Sequence, residues 1–578
     1  MYQKTREMQF IPRVLVLQFW SKWWDSNPRP RGPEPRALST ALHLDITIII
    51  QHLLQKLQQF YQICPNGLHS LRLGGKIFPL TVCVFQQSAQ TYGLLPWQNG
   101  SICIKNSRIK LRREGIATMT NSKEMLGKEP VGKLLFKLAL PTVVAQLINM
   151  LYNIVDRIYI GHMPGDGDLA ITGVGVCMPI ILIVSAFAAL VSSGGAPRAS
   201  IFMGKKDNDS AEKTLGGCFT TQIIISLILT VVLCIWSGDL LWVFGASENT
   251  IGYATDYMSI YAFGTIFVQL TLGMNAFITA QGFTKVSMLS VIIGAVANII
   301  LDPIFIYGLG MGVSGAALAT IISQCASCVW IVLFLSGKKA QIRLKRKNLF
   351  VSPKFVLPCL ALGLATFIMQ ASESVISVCF NSSLQNYGGD IAVGAMTILT
   401  SVMQFAMLPL QGIAQGAQPI LSYNYGARSP ERVKKTFKLL LTSCLVYSVT
   451  LWAFVMLFPR AFASVFNNKV ELLDFTEKAM RIYLGGMFLF GIQIACQMTF
   501  VSLGNAPSSV IVAVVRKFVL LLPLIYILPN VVENKTIGVY MAEPIADVIA
   551  VTFTTILFIF QFRKALKKIE QPQEVAVE

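Results

Sequence analysis

The chain has 578 residues, of which 54% are hydrophobic and only 13% are charged. Soluble domains carry roughly 25% charged residues, so this composition argues against a soluble fold and favours a membrane protein. Lys and Arg outnumber Asp and Glu by 48 to 29, which gives a formal charge of +19. In the body of the chain the basic residues form short clusters between apolar runs, not a stripe with interleaved aromatics, so no nucleic-acid partner is expected.

The first 118 residues differ from the rest of the chain. They hold 15 basic and 5 acidic side chains and a run rich in Trp, Pro and Arg at 23–35. This run resembles the conceptual translation of a transfer-RNA gene, so we expect residues 1–118 to be a non-native or disordered extension, with the true start at Met119 or Met125. A genuine cytoplasmic or secretory extension is the alternative, although the chain does not open with a signal-peptide pattern.

Apolar segments of about 20 to 28 residues follow, the length that a helix needs to cross about 30 Å of hydrocarbon. Because unpaired backbone groups are not tolerated in lipid, these segments predict an all-α bundle. We predict twelve spans, in chain order: 134–159, 169–194, 212–236, 254–280, 285–306, 313–336, 355–382, 391–416, 432–458, 479–503, 508–529 and 537–562.

The charges between the spans predict the orientation of the bundle. Cytoplasmic loops are enriched in Lys and Arg, and such residues cluster after spans two, six and eight and in the tail. The connections after spans one, three, five and seven carry acidic residues instead, such as Asp168 and Asp390. We therefore expect both termini on the cytoplasmic side.

The second half of the chain repeats the first with one offset of 222 residues. The matched positions are Asp168/Asp390, Gly194/Gly416, Pro197/Pro419, Ser200/Ser422, Gly204/Gly426, Lys213/Lys435, Tyr261/Tyr483, Gly264/Gly486 and Gly282/Gly504. Six spans followed by six in the same orientation form a parallel repeat. We predict a first lobe at 125–336, a cytoplasmic linker at 337–354, a second lobe at 355–565 and a cytoplasmic tail at 566–578.

Soluble catalytic signatures are absent from the sequence or incomplete. The run from Gly127 to Lys133 approaches a phosphate-binding loop, but Leu134 stands where Ser or Thr would hold magnesium. There is no HExxH or GxSxG motif, and the 12 cysteines show no disulfide framework. We expect neither an enzyme nor a bound cofactor, and an ion gradient is the natural energy source.

Ionisable groups inside the spans are the main functional candidates, because a carboxylate in hydrocarbon is costly unless it is paired or hydrated. Asp156 lies near the outer end of span one, Asp302 near the outer end of span five and Glu373 within span seven. Asn298 precedes Asp302 by one helical turn, so both face the same way. Such a group could bind a proton or Na⁺, whereas pairing of Asp156 with Arg157, or a loop position for Asp302, would be the structural alternative.

Other positions predict a bend and a cavity. Pro141 lies inside span one, where it removes a backbone hydrogen bond and permits bending. Met and Gln side chains adapt to varied ligands, although each one singly could be ordinary packing. The candidate cavity residues are Gln146, Met150, Gln269, Met274, Gln370, Met403 and Gln404.

The twelve spans, the Leu140-Pro141-Thr142 opening with Asp156-Arg157, the run from Asn298 to Pro303 and the paired Gly and Pro motifs together resemble the multidrug and toxic compound extrusion (MATE) family, in particular its bacterial DinF-like and MepA-like members. The resemblance covers residues 125–565. It implies a V-shaped pair of six-helix bundles in the bacterial cytoplasmic membrane. The family's ion-coupling residues then fall on Asp156, Asn298, Asp302 and Glu373, with Asn275 as the fourth-span Asn, and the bending proline falls on Pro141. No acid lies in spans ten and eleven, which leaves Glu373 as the second-lobe candidate.

These observations predict a multidrug antiporter that exports bulky, often cationic drugs in exchange for H⁺ or Na⁺ by alternating access. Its partners would be small-molecule drugs and the lipid bilayer, and we expect a monomer. Na⁺, if it is the coupling ion, would bind at Asp156, Asn298 and Asp302. A flippase for lipids or lipid-linked oligosaccharides is the alternative within the same fold group, but it should have several Arg in its spans, and here Arg198 and Arg516 are expected near the span ends. An intramembrane enzyme or a receptor is a further alternative.

Overall fold

The computed structural model describes residues 125–163, 167–466 and 469–571. The predicted extension at 1–118 lies outside these residues. Within the described ranges the regular structure is helical, and no strand is present. The helices that are long and apolar enough to cross a membrane run through the whole described body, so the predicted all-α fold is confirmed.

We label the membrane-crossing helices α1 to α12 in chain order. The first lobe contains α1 (Val131–Gly161), α2 (Gly167–Gly204), α3 (Asn208–Val243), α4 (Ile251–Ala280), α5 (Thr284–Gly308) and α6 (Gly312–Ser336). The second contains α7 and α8, which share the stretch Pro353–Gly426, then α9 (Pro430–Leu457), α10 (Val470–Ser502), α11 (Ala506–Asn530) and α12 (Lys535–Glu570).

Two spans merge into one helical stretch of 74 residues, which is too long for a single crossing. Its backbone is broken at Gly389, where φ is 64° and ψ is −162°. This left-handed φ favours glycine, and it separates α7 (353–388) from α8 (390–426). With this break the eleven long helices of the described residues give the twelve predicted spans.

The internal repeat is visible in the backbone and in its hydrogen bonds. Positive φ values recur at Lys206 and Arg428, and again at Gly282 and Gly504, each pair 222 residues apart. The hydroxyl of Ser200 donates to the carbonyl of Ala280 at 3.2 Å, and the hydroxyl of Ser422 donates to the carbonyl of Ser502 at 2.8 Å, with the same offset. The two lobes are therefore built on one repeated plan.

Close glycine contacts join the two lobes along two seams. Between α2 and α7, a Cβ on Gly194 would overlap the Cys359 carbonyl, and one on Gly363 would overlap the Leu190 carbonyl. Between α1 and α8, Gly412 lies against Val143, and the Thr142 hydroxyl donates to the Gly412 carbonyl at 2.6 Å. Small residues allow helices to approach this closely in a membrane.

Both seams lie toward one end of the bundle, which we call the basic end because the Lys- and Arg-rich connections lie there. Arg432, at the start of α9, donates to the carbonyl oxygens of Leu126 and Glu129 at 3.1 and 2.8 Å and so joins the lobes at this end. Farther from it, Gln146 in α1 donates to Gln415 in α8 at 3.1 Å. The lobes are thus in contact at the basic end.

The connection between the lobes is held against the first lobe. The side-chain oxygen of Gln281 accepts hydrogen bonds from the backbone N–H groups of Gln341 and Ile342 at 2.8 and 3.1 Å. Lys345 forms an ion pair with Glu212 at 2.6 Å. The predicted linker at 337–354 is therefore an ordered segment and forms part of the basic end.

Candidate functional site

The first-lobe candidate site lies between α1 and α5. Asp156 projects from α1, and Asn298 and Asp302 lie one turn apart on α5, as their spacing predicts. The amide of Asn298 donates to the Asp302 Oδ1 atom at 3.0 Å and approaches the Thr320 hydroxyl of α6 at 3.5 Å. The Asp156 and Asp302 carboxyl groups are close enough that a shared proton would form a hydrogen bond between them.

Three buried oxygen atoms at this site have no hydrogen-bond partner in the structure. They are Oδ1 of Asp156, Oδ1 of Asn298 and Oδ2 of Asp302. Leaving such atoms unpaired costs about 1–3 kcal/mol each, and more when they are charged. The arrangement is therefore incomplete without a cation, which carboxylate and amide oxygens are suited to bind.

The structural alternatives for the two acids do not hold. Asp302 is 0% exposed and lies within the helical residues Thr284–Pro303, so it is not a loop residue before Pro303. Arg157 is exposed, and among the ion pairs of the described residues none joins it to Asp156. The two acids therefore face each other inside the first lobe.

Asn275 and Pro141 occupy different surroundings. Asn275 in α4 donates to the carbonyl of Ser287 at 3.4 Å and accepts from the Ser290 hydroxyl at 3.1 Å, so it joins α4 to α5. Pro141 is buried within α1, which stays helical through this position. It lies next to Thr142, whose hydroxyl binds α8 of the other lobe.

The predicted cavity residues divide by burial. Gln269 and Met274 are both 0% exposed, and the Gln269 amide donates to the carbonyl of Val184 at 2.6 Å. The prediction that these two line a cavity is wrong, because both belong to the interior of the first lobe. The others are exposed or partly buried, namely Gln146, Met150, Gln370, Met403 and Gln404.

Glu373 belongs to a separate cluster in the second lobe. Its Oε1 atom accepts a hydrogen bond from the Lys517 ammonium of α11 at 2.6 Å. Arg516, next to Lys517, lies 2.8 Å from Asp547 and 3.5 Å from Glu543. The expectation that Arg516 lies near a span end is wrong, since it is 5% exposed within the π-helical turn Val515–Leu521 of α11.

Sequence reasoning missed Lys517, Glu543 and Asp547. Their signal is present in the sequence as charged residues inside the apolar spans 508–529 and 537–562, with the two acids four residues apart on one helical face. Glu373 is thus not the only acid of the second lobe, because α12 supplies two more. Within the described residues, no group of three or more His, Cys, Asp or Glu side chains is arranged to hold a metal ion.

Comparisons with known proteins agree with this architecture. The sequence model of the MatE family matches residues 141–304 and again 365–527, once in each lobe. The multidrug export protein MepA of Staphylococcus haemolyticus is 24% identical over 434 residues, which cover 75% of this chain and 94% of that protein.

Two solved structures share the fold. A MATE protein in the bent conformation has a TM-score of 0.73 at 22% identity and covers 78% of this chain and 99% of its own. An outward-facing multidrug resistance transporter of the MATE family has a TM-score of 0.71 at 22% identity, with 77% and 98% covered. The repeated family match covers more than half of the sequence, and the chain belongs to the MATE family.

Proposed function

We propose that this protein is a secondary active multidrug exporter of the bacterial cytoplasmic membrane. It exports bulky, often cationic drugs in exchange for inward H⁺ or Na⁺. The observation that carries the coupling proposal is the set of three unpartnered oxygens on Asp156, Asn298 and Asp302. Family membership and the similarity to a multidrug export protein support the drug substrates.

The proposed coupling step follows from the chemistry of this site. A proton arriving from outside would be shared between Asp156 and Asp302, whereas Na⁺ would be held by their carboxylates and the Asn298 carbonyl oxygen. Either ion removes the repulsion between two close carboxylates. Helices α1 and α5 would then pack more tightly, and this change in the first lobe would favour drug release.

The arrangement of the lobes supports alternating access. The lobes are in contact at the basic end, and positive loops favour the cytoplasmic side. We infer that this conformation is closed toward the cytoplasm. The transport cycle would then require both seams to open while the opposite ends of the lobes approach each other.

The flippase alternative is less well supported. A site for lipid phosphates needs free positive charge, but Arg516 is neutralised by Asp547 and Glu543, and Lys517 is neutralised by Glu373. The second lobe therefore favours cationic over phosphorylated substrates.

The substitution Asp156→Asn tests the coupling site. We expect it to abolish drug resistance in an efflux-deficient host while the protein still reaches the membrane, because a neutral amide cannot take up the coupling ion. Asp168→Asn, which changes an exposed carboxylate at the start of α2, is the matched control and should retain resistance.

Transport into everted vesicles, driven separately by a sodium pulse and by a pH pulse, identifies the ion. The proposal predicts uptake with one of them in the wild type and with neither in Asp156→Asn. Full resistance in that variant, or vesicle uptake equal to that of the wild type, would show that the ion is bound elsewhere.

A further inference from the structure

The second lobe holds five charged side chains in contact at membrane depth. They come from three helices: Glu373 from α7, Arg516 and Lys517 from α11, and Glu543 and Asp547 from α12. Four of them are almost fully buried, with exposed fractions of 5% for Arg516, 2% for Lys517, 3% for Glu543 and 2% for Asp547. The Arg516 guanidinium also lies 5.5 Å from the Phe490 ring centroid. We call these five residues the second-lobe charge cluster.

The charges of this cluster do not balance. Three carboxylates face two cations, so the ionised cluster carries one excess negative charge. A buried charge that lacks a partner is strongly unfavourable, and at membrane depth the cost is greater still. The cluster is therefore expected to attract one further monovalent cation.

Glu373 is the member of the cluster that a cation can reach. The exposed fraction of its side chain is 52%, whereas that of Lys517 is 2%. On α7 it belongs to an exposed polar stripe with Gln370, Ser377 and Asn381, spaced so that all four share one helical face. A polar stripe on a membrane-crossing helix faces an aqueous space and not lipid.

Lys517 has a second place to go. Glu543 is paired only loosely, with Arg516 at 3.5 Å, while Asp547 holds Arg516 through the Nε atom at 3.0 Å. The Lys517 ammonium also acts electrostatically on Glu543 and Asp547. A cation that took the place of Lys517 at Glu373 would leave Lys517 free to pair with Glu543, and three acids would then face three cations.

We propose that Glu373 is a binding site for the positive charge of a monovalent organic cation, and that Lys517 is a built-in competitor which the cation displaces. The inference rests on the proposed transport function and assigns its substrate class to a particular place. The first lobe then takes the coupling ion and the second lobe takes the charge of the drug, at two separate sites.

The same offset of 222 residues indicates that this cluster is not required by the fold. The first-lobe counterparts of Glu373, Arg516 and Lys517 are Leu151, Gly294 and Ala295. The α5 helix that carries two of them folds without these charges. The charges are thus an addition to one lobe of a repeated plan.

Equilibrium binding of radiolabelled tetraphenylphosphonium to the purified full-length protein in lipid nanodiscs tests the proposal. We expect Lys517→Met to bind this cation about tenfold more tightly than the wild type does, because the competitor is gone. The double variant Glu373→Gln with Lys517→Met removes one charge of each sign and keeps the net charge of the cluster. We expect it to bind the cation at least tenfold more weakly than Lys517→Met does.

Two controls make the result specific. Triphenylphosphine oxide, an uncharged probe of similar shape, should bind all three proteins equally. If Lys517→Met is not monodisperse, Lys517→Gln serves the same purpose with a polar side chain.

Weaker or unchanged cation binding in the single Lys517 variants would overturn the proposal, since Lys517 would then not compete. So would equal binding by the double variant and Lys517→Met. This assay contains no ion gradient, so its failure is distinguishable from failure of the coupling proposal, which the sodium and pH pulses test on their own.

Discussion

Charged side chains inside the spans are confined to different positions in the two lobes. In the first lobe they are Asp156 and Asp302, and the second-lobe counterparts of these residues are Val378 and Leu524. The repeated backbone accepts an apolar residue at each of these places, so the acids are not needed for folding. Because burying them costs free energy, their presence is best explained by function.

At a single loop residue, the structure predicts a pH-dependent contribution to stability. Asp207 caps α3 by accepting a hydrogen bond from the Ser210 backbone N–H at 3.0 Å, and this bond to Ser210 lowers the pKa of the Asp207 carboxyl. Its repeat counterpart Ser429 begins α9 but makes no side-chain cap hydrogen bond. Asp207→Ala should therefore destabilise the protein by about 1 kcal/mol at pH 7, and Ser429→Ala should have little effect.

Because the pKa of Asp207 is lowered by folding, the cap stabilises the protein above the ordinary Asp pKa of about 3.9 and is lost as the pH falls through the folded value. Thermal unfolding in detergent at several pH values measures this. The difference between wild type and Asp207→Ala should shrink below about pH 4. An equal difference at pH 7 and at pH 3 would contradict the capping role.

The candidate coupling site was predictable from sequence because its acids stand alone in apolar spans and its Asn and Asp are one turn apart. The second-lobe charge cluster was harder to predict, since Glu373 and Lys517 are 144 residues apart and nothing local shows that they meet. Gln269 and Met274 failed as cavity residues for a related reason. Helical periodicity alone does not distinguish a face that lines a cavity from one that packs inside a lobe.

At the scale of the helices, glycine decides how closely the two lobes approach. On α7, a Cβ at Gly363 would overlap the carbonyl oxygen of Leu190 on α2. That oxygen belongs to rigid backbone, so the helices would have to move apart. On the same α2, Gly175 has no atom within 4 Å of a Cβ placed there.

Gly363→Ala should lower the free energy of unfolding by about 1–3 kcal/mol through overpacking at the seam. Gly175→Ala is the matched control and should be neutral or stabilising by up to about 1 kcal/mol, since alanine favours a helix. Detergent-based thermal shift measurements compare the two. A Gly363→Ala protein as stable as the wild type would mean that the α2–α7 seam is looser in solution than in the structure.

The spans themselves followed from hydropathy, but their ends did not. Helix α2 continues to Gly204, ten residues beyond its predicted end, and the predicted loop between spans seven and eight contracts to a break at Gly389. Hydropathy detects the part of a helix that crosses hydrocarbon. It does not detect helical turns that extend beyond the lipid, because these are stabilised by packing against the neighbouring lobe.

For the whole molecule, the seams set how the lobes can move. Their contacts lie toward the basic end, where Thr142 binds Gly412 and Arg432 binds Leu126, and the linker is fixed to the first lobe by Gln281 and Glu212. A lobe that rocks about this end must break the α1–α8 hydrogen bonds while the linker keeps the lobes together. The Gln146–Gln415 contact, at 3.1 Å between side-chain atoms, is the member of this seam that lies farther from the basic end.

A covalent bridge at this contact should stop the transport cycle. In a variant with Gln146→Cys and Gln415→Cys, a short bis-methanethiosulfonate linker would hold α1 against α8 in the arrangement of the structure, so ion-driven drug uptake into vesicles should fall to background. Reduction should restore it, because the linker is attached through disulfides. Each single variant treated with the same reagent controls for modification of native cysteines, and among the described residues Cys234 is the exposed one. Full uptake by the cross-linked double variant would mean that drug crosses the membrane without separation of α1 from α8, and the alternating-access proposal would then be wrong.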